Sequence, residues 1–177
     1  MKFFSSLALS TIFIAGAFAQ SVDIGAPADG TTVSAGSNIT VEIDKPPTLT
    51  GSTEVAIIIG FLSCSGFASG CPPPSEILGT ILYNGPYDPE FHSTGGGVND
   101  RPYQNFTVTI PSSVSPGPAQ LGVAHVALVG AGQYPFLETL NITLNVVSVK
   151  RGEGIPPFDI SWAPESGDTT ISFPSDT

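Results

Sequence analysis

The stretch Asn38-Ile39-Thr40-Val41-Glu42-Ile43-Asp44 decides the fold class, because its residues alternate polar and apolar without a break. Ile39, Val41 and Ile43 fall on one face of an extended chain, and Asn38, Thr40, Glu42 and Asp44 fall on the other. A period of two marks a β-strand with one buried face. The same phase returns at Phe106, Val108 and Ile110 against Asn105, Thr107 and Thr109. It appears a third time at Leu140, Ile142, Leu144 and Val146 against Asn141, Thr143 and Asn145. Residues 54–62 and 119–129 are instead apolar on both faces, as expected of central strands covered by the opposing sheet on one side and by loops or neighbours on the other. Shorter segments at 22–24, 32–34 and 77–83 bring the expectation to about seven or eight strands.

Turn signals separate these strands: Pro27-Ala28-Asp29-Gly30, Lys45-Pro46-Pro47, Asn84-Gly85-Pro86, Gly95-Gly96-Gly97 and Ser115-Pro116-Gly117-Pro118. No helical period intervenes. The pattern predicts an all-β fold, an immunoglobulin- or fibronectin-like antiparallel β-sandwich. The tryptophan that marks antibody domains is missing from the core region, since Trp162 lies near the C-terminus.

Three domains of the chain are expected. Residues 1–19 read as a secretory signal peptide: Lys2 precedes an apolar run of about a dozen residues ending in Ala17-Phe18-Ala19, too short for the roughly 20 that span a bilayer. Cleavage is expected before Gln20, giving a secreted, extracellular protein with no stable membrane anchor. Residues 20–149 form the sandwich domain. Residues 150–177 are rich in Gly, Pro, Ser and acidic side chains and read as a disordered tail, with Lys150-Arg151 a candidate processing site at its start.

The two cysteines, Cys64 and Cys71, are predicted to form one disulfide in the oxidising compartment that the signal peptide implies. Its short loop is worth only about 2.5 kcal/mol in the chain-entropy model, so the hydrophobic core must supply most of the stability. Asn38, Asn105 and Asn141 begin Asn-x-Thr sequons whose middle residue is apolar. On a strand that residue points inward, so each acceptor asparagine faces solvent and is a glycosylation candidate.

The net charge of −10, with only five basic residues, argues against nucleic acid or an anionic membrane as partner. Catalytic signals are sparse. The two histidines, His92 in a loop and His125 inside an apolar strand, lack convergent metal-ligand spacing, and His125 reads as a satisfied core or sheet-end histidine. Copper-dependent polysaccharide oxygenases are sandwiches of similar size, but their mature chain begins with a histidine, where Gln20 is expected here. Residues 66–70 lack the spacing of a serine nucleophile elbow. Glu54, Glu76, Asp88, Glu90 and Glu138 supply carboxylates for a glycosidase pair, yet their spacing singles out none. The expectation is a monomeric, non-enzymatic binding protein with no cofactor and no metal.

Recognition is then assigned to three loops: 63–75 with the disulfide, 84–103 with Tyr87 and Phe91, and 130–136 with Tyr134 and Phe136. Aromatic side chains in loops cover contact area at low entropic cost, so these four are the candidate partner-binding residues. Tyr83 and Tyr103 read instead as rings capping the core.

The segments Ile24-Gly25-Ala26-Pro27, Gly51-Ser52-Thr53-Glu54-Val55-Ala56-Ile57, Leu78-Gly79-Thr80-Ile81-Leu82-Tyr83, Gln104-Asn105-Phe106-Thr107-Val108-Thr109-Ile110-Pro111 and Gln120-Leu121-Gly122-Val123-Ala124-His125 resemble the Nis1 family of small secreted fungal proteins. The resemblance covers residues 20–149. It implies an effector of plant-associated fungi that modulates plant immunity or cell death by binding a host protein, the receptor-associated kinases of the plant, and so a virulence role. It carries over no functional residue. The alternative is an extracellular cell-wall or carbohydrate-binding module without catalysis.

Overall fold

The computed structural model of the protein describes residues 21–48, 50–92 and 101–148. Among them eight strands follow one another with no helix: β1 (Asp23–Ala26), β2 (Thr31–Ser34), β3 (Asn38–Asp44), β4 (Ser52–Ser63), β5 (Thr80–Gly85), β6 (Tyr103–Thr109), β7 (Gly117–Val129) and β8 (Tyr134–Val147). The expected signal peptide, the cleavage point before Gln20, and the tail with Lys150 and Arg151 lie outside the described residues.

The alternation of β3 and β6 produces a three-stranded sheet in the order β1-β3-β6, in which Val41 pairs with Phe106 and Ile39 with Val108. The apolar strands β4 and β7 become the centre of a five-stranded sheet, β2-β8-β7-β4-β5. The inner faces meet in one core: Val41, Ile43, Phe106 and Val108 from the first sheet, Ile57, Ile59, Leu121, Val123 and Leu144 from the second. This is the expected β-sandwich.

All ladders but one are antiparallel. β2 runs parallel to β8, because the chain passes from β1 in one sheet to β2 at the edge of the other through the corner at Pro27-Ala28-Asp29-Gly30. Asp29 anchors that corner: its carboxylate accepts the backbone N–H of Thr143 at 2.7 Å and its hydroxyl at 2.8 Å. These bonds hold the Asp29 carboxyl below its ordinary range. The Gly30 N–H donates to the Thr143 carbonyl at 2.9 Å.

Three boundaries differ from the expectation. Ile77 sits in a turn after Pro72-Pro73-Pro74, and β5 begins only at Thr80, after Gly79 with φ +77°. Asn84 and Gly85 continue β5, pairing with Ile58 and Ile57, instead of forming a turn. The third expected loop is shorter than 130–136, because the chain turns at Gly130 (φ +70°) and Gln133 (φ +53°) and Tyr134 already opens β8. Pairing of Val129 with Tyr134 carries the ladder up to a four-residue hairpin loop at 130–133.

The sequon geometry follows the strands. Asn38 and Asn105 are exposed on the outer face of the three-stranded sheet, and Asn141 is exposed on the outer face of the five-stranded one. The middle residues Ile39, Phe106 and Ile142 turn inward and pack in or against the core.

Candidate functional site

The disulfide forms between Cys64 and Cys71, immediately after β4. The following segment, 72–79, folds back over the outer face of the five-stranded sheet. Gln120 on β7 donates its side-chain amide to the Pro72 carbonyl at 3.1 Å, and Leu78 and Pro74 lie over Gly60 and Gly122. A Cβ at Gly60 would collide with the Leu78 carbonyl, and one at Gly79 with the Phe61 carbonyl, so both glycines are required by close backbone approach.

This cover reaches only part of the face. Further along, Ile58 pairs with Ala124, Ala56 with Val126, and Val126 with Leu137, all with side chains directed away from the core. None of these outward positions is charged. Leu137 is 68% exposed and Ile81, at the neighbouring edge strand, 50%. The apolar outer face expected of β4 and β7 is therefore present, buried at Ala124, half-buried at Ala56, Ile58 and Val126 and exposed at Leu137 on the neighbouring β8.

The three expected recognition loops separate. The disulfide loop stands at one end of the sandwich, where the Cys64 N–H donates to the Pro118 carbonyl. The other two approach the opposite end, where β3 finishes, β6 starts and the β7–β8 hairpin turns. There Phe91 is 68% and Tyr134 72% exposed.

Tyr87 and Phe136 require correction as surface contacts. Tyr87 is 2% exposed. After β5 ends at Gly85 the chain turns, and the ring drops between the sheets, 6.4 Å from Phe106 and 5.5 Å from His125, with its hydroxyl donating to the Ile43 carbonyl at 3.2 Å. Burial first, then the negative charges of Glu54, Asp44 and Glu138, push its phenol above the ordinary range. Phe136 is half-buried on the inward side of β8, its ring 6.3 Å from His125. Both aromatics belong to the packing, as do Tyr83, whose ring lies 4.6 Å from Phe106, and Tyr103, which stacks on His92 at 4.0 Å.

His125 is fully buried and lies between two carboxylates. Its Nδ1 is 2.9 Å from Glu138 Oε1 and its Nε2 is 2.5 Å from Glu54 Oε2. The second Glu54 oxygen accepts from Lys45 Nζ at 2.8 Å and from the Ser52 hydroxyl at 2.7 Å. Glu138 Oε1 also accepts the backbone N–H of Val22 at 2.8 Å. Five strands or their flanks converge here, β1, β3, β4, β7 and β8, so the cluster joins both sheets.

Burial alone would lower the histidine's proton affinity, but the bonds to Glu138 and Glu54 and their charges outweigh it and raise His125 above its ordinary value. For Glu54, burial raises the carboxyl, yet the bonds from His125, Lys45 and Ser52 and the histidine's charge bring it down to about 2. A doubly bonded imidazolium between two carboxylates satisfies both ring nitrogens with a charged acceptor each.

His125 is thus the satisfied core histidine that its apolar strand suggested. The convergence of Glu54 and Glu138 on it was not legible. Glu138 and His125 are in phase with the inward residues Leu140 and Val123, and that polar break in an apolar parity was the available signal. Glu54 was concealed by a bulge: the register shift between Glu54 and Ala56 turns Glu54 inward opposite Ala127 and expels Val55 to the surface. Among the described residues no group of three or more His, Cys, Asp or Glu side chains is arranged to hold a metal ion.

The profile of the Nis1 family matches residues 17–145. A search of curated protein sequences returns no match. Among solved structures, a superoxide reductase (neelaredoxin) from Ignicoccus hospitalis superposes with a TM-score of 0.41 at 14% identity, covering 72% of this chain and 81% of that one. A cellulose-active polysaccharide monooxygenase from M. thermophila superposes with a TM-score of 0.39 at 15% identity, covering 68% of this chain and 54% of that one.

Proposed function

The chain belongs to the Nis1 family, and from that membership we propose that it is a secreted, non-catalytic effector-like protein that binds a host protein and modulates plant immunity or cell death. The observation that supports the binding reading is Leu137, 68% exposed on the outer face of the five-stranded sheet beside the half-buried, uncharged Ala56, Ile58 and Val126. Exposed apolar surface of this kind can serve association. The host partner of this reading is a receptor-associated kinase, bound by a monomer that uses neither metal nor nucleic acid. Removal of residues 1–19, glycans at Asn38, Asn105 and Asn141, cleavage after Lys150-Arg151 and an extracellular location complete the reading. The disulfide between Cys64 and Cys71 is compatible with that location.

The exposed rings of Phe91 and Tyr134 favour a second reading, a cell-wall or carbohydrate-binding module. One experiment separates the two. The purified protein, its Leu137→Asp variant and a Phe91→Ala/Tyr134→Ala variant are tested for capture of membrane-associated kinases from plant extract and for retention on chitin, glucan and cellulose. Kinase capture lost only in Leu137→Asp supports the effector reading. Polysaccharide retention lost only in the aromatic variant replaces it with the second, and neither form of binding by the unaltered protein overturns both.

A further inference from the structure

The buried cluster around His125 has a direct connection to the N-terminal strand. Glu138 uses a single oxygen, Oε1, to accept both from His125 Nδ1 and from the N–H of Val22, the residue preceding β1. β1 is four residues long and among the described strands its backbone ladder is with β3 alone, with a register irregularity between Ile24 and Ala26, while the Asp23 side chain accepts from Arg101 at 3.2 Å. It is a short edge strand; the side chains of Ile24 and of the preceding Val22 pack in or against the core, and the backbone bond from Val22 ties it to the five-stranded sheet.

The charged and titratable groups facing His125 come from every neighbouring element. Glu54 projects from β4, Glu138 from β8 and Tyr87 from the turn after β5, while Lys45, just past β3, reaches the cluster through Glu54. With the imidazole doubly protonated, two carboxylates are balanced by two cations. A neutral imidazole has one N–H and one lone pair, so it can donate to only one of the two carboxylates and must turn a lone pair towards the other.

The two carboxylates are not equally supported. Glu54 retains Lys45 and Ser52, and its side chain is almost enclosed. Among the described residues Glu138 retains the Val22 N–H alone, and its side chain is more exposed. The neutral imidazole therefore keeps its proton towards Glu54, and Glu138 is the group that moves out to solvent.

We propose that His125 is a proton-operated latch on the N-terminal strand: doubly protonated, it holds Glu138 in place to bind Val22, and on losing one proton it releases Glu138 and with it β1. The direction is set by linkage. His125 is raised in the fold, so its contribution is complete at pH values below the unfolded histidine value and is lost as pH rises through the folded one. The latch is closed in acid and opens towards alkaline pH.

The test uses the complete secreted protein. Long-range proton–nitrogen NMR resolves the protonation of its two histidines, while amide hydrogen exchange, corrected for the intrinsic rate, follows Val22, Asp23 and Ile24 across a pH series. Both ring nitrogens of His125 should carry protons at about pH 6. Exchange at Val22–Ile24 should rise about tenfold with the midpoint of the His125 titration, the scale of one charge-assisted bond, while Leu121 and Val123 on β7 stay protected. In Glu138→Gln the side-chain amide can pair with either form of the ring, so the step should vanish. A His125 that titrates at or below the ordinary value, an exchange step with a different midpoint, or a step that survives in Glu138→Gln would each overturn the latch.

Discussion

Replacing His125 by leucine tests the energetic weight of the buried cluster. The substitution removes both imidazole bonds, to Glu54 and to Glu138, and leaves two carboxylates facing an apolar side chain in the core. Depression of Glu54 from 4.5 to about 2 is equivalent to about 3 kcal/mol of preference for its ionised form in the fold, an upper bound for the His125 share because Lys45 and Ser52 supply part of it and stay in place. That figure agrees with the roughly 3–5 kcal/mol lost when one partner of a buried ion pair is deleted. The His125–Glu54 bond contributes to both shifts and is counted once, while the bond to Glu138, which also raises His125, is lost in the same substitution. In a domain of this size about 3 kcal/mol is a melting-temperature drop on the order of 10 °C.

The pH dependence gives the prediction its sign. Glu54 is lowered in the fold, so its contribution is complete above about 4.5 and is lost as pH falls towards about 2. His125 is raised, so its contribution is complete below about 6.5 and is lost as pH rises through its folded value. Urea unfolding of the unaltered and His125→Leu proteins should therefore differ most between about pH 4.5 and 6.5, and the gap should narrow on either side. A His125→Leu protein within about 1 kcal/mol of the unaltered one in that window would refute the reasoning, since it would mean that the cluster adds nothing beyond ordinary packing.

Other positions respond on different physical grounds. Tyr87→Phe loses the bond to the Ile43 carbonyl but keeps the ring in the core, so unfolding free energy should fall by about 1 kcal/mol while partner binding is unchanged. Gly79→Ala forces a Cβ into the Phe61 carbonyl at φ +77° and should cost on the order of 3 kcal/mol or more, visible as an early thermal transition. Reducing the Cys64–Cys71 bond should lower stability by about 2.5 kcal/mol, measured as a shift in the urea midpoint with and without reductant.

Alternation at 38–44, 105–110 and 140–146 was enough to specify strands, the buried face of each and the outward placement of Asn38, Asn105 and Asn141. A period of two leaves no other way to bury Ile39, Val41 and Ile43 together. The close cysteine pair and the Nis1 resemblance were equally readable, being properties of neighbouring residues and of local segments. The same local reading placed Tyr87 and Phe136 at a surface, because aromatic residues next to turn signals look alike whether they cap a core or contact a partner.

Only the tertiary structure decided which residues meet. Tyr87 became a core ring because the chain turns inward after β5, and Phe136 is half-buried because β8 already begins at Tyr134 and its phase turns Phe136 inward opposite Ala127. The apolar second face of β4 and β7 was visible in sequence, but the extent of its cover depends on where residues 72–79 come to rest. Glu54, His125 and Glu138 sit 71 and 13 residues apart in pairs, and a one-residue bulge turns Glu54 towards the others. Side-chain periodicity tells a residue which face of its own strand it occupies. It does not say which strand lies opposite or where a bulge inverts the phase, and the buried charge cluster depends on both.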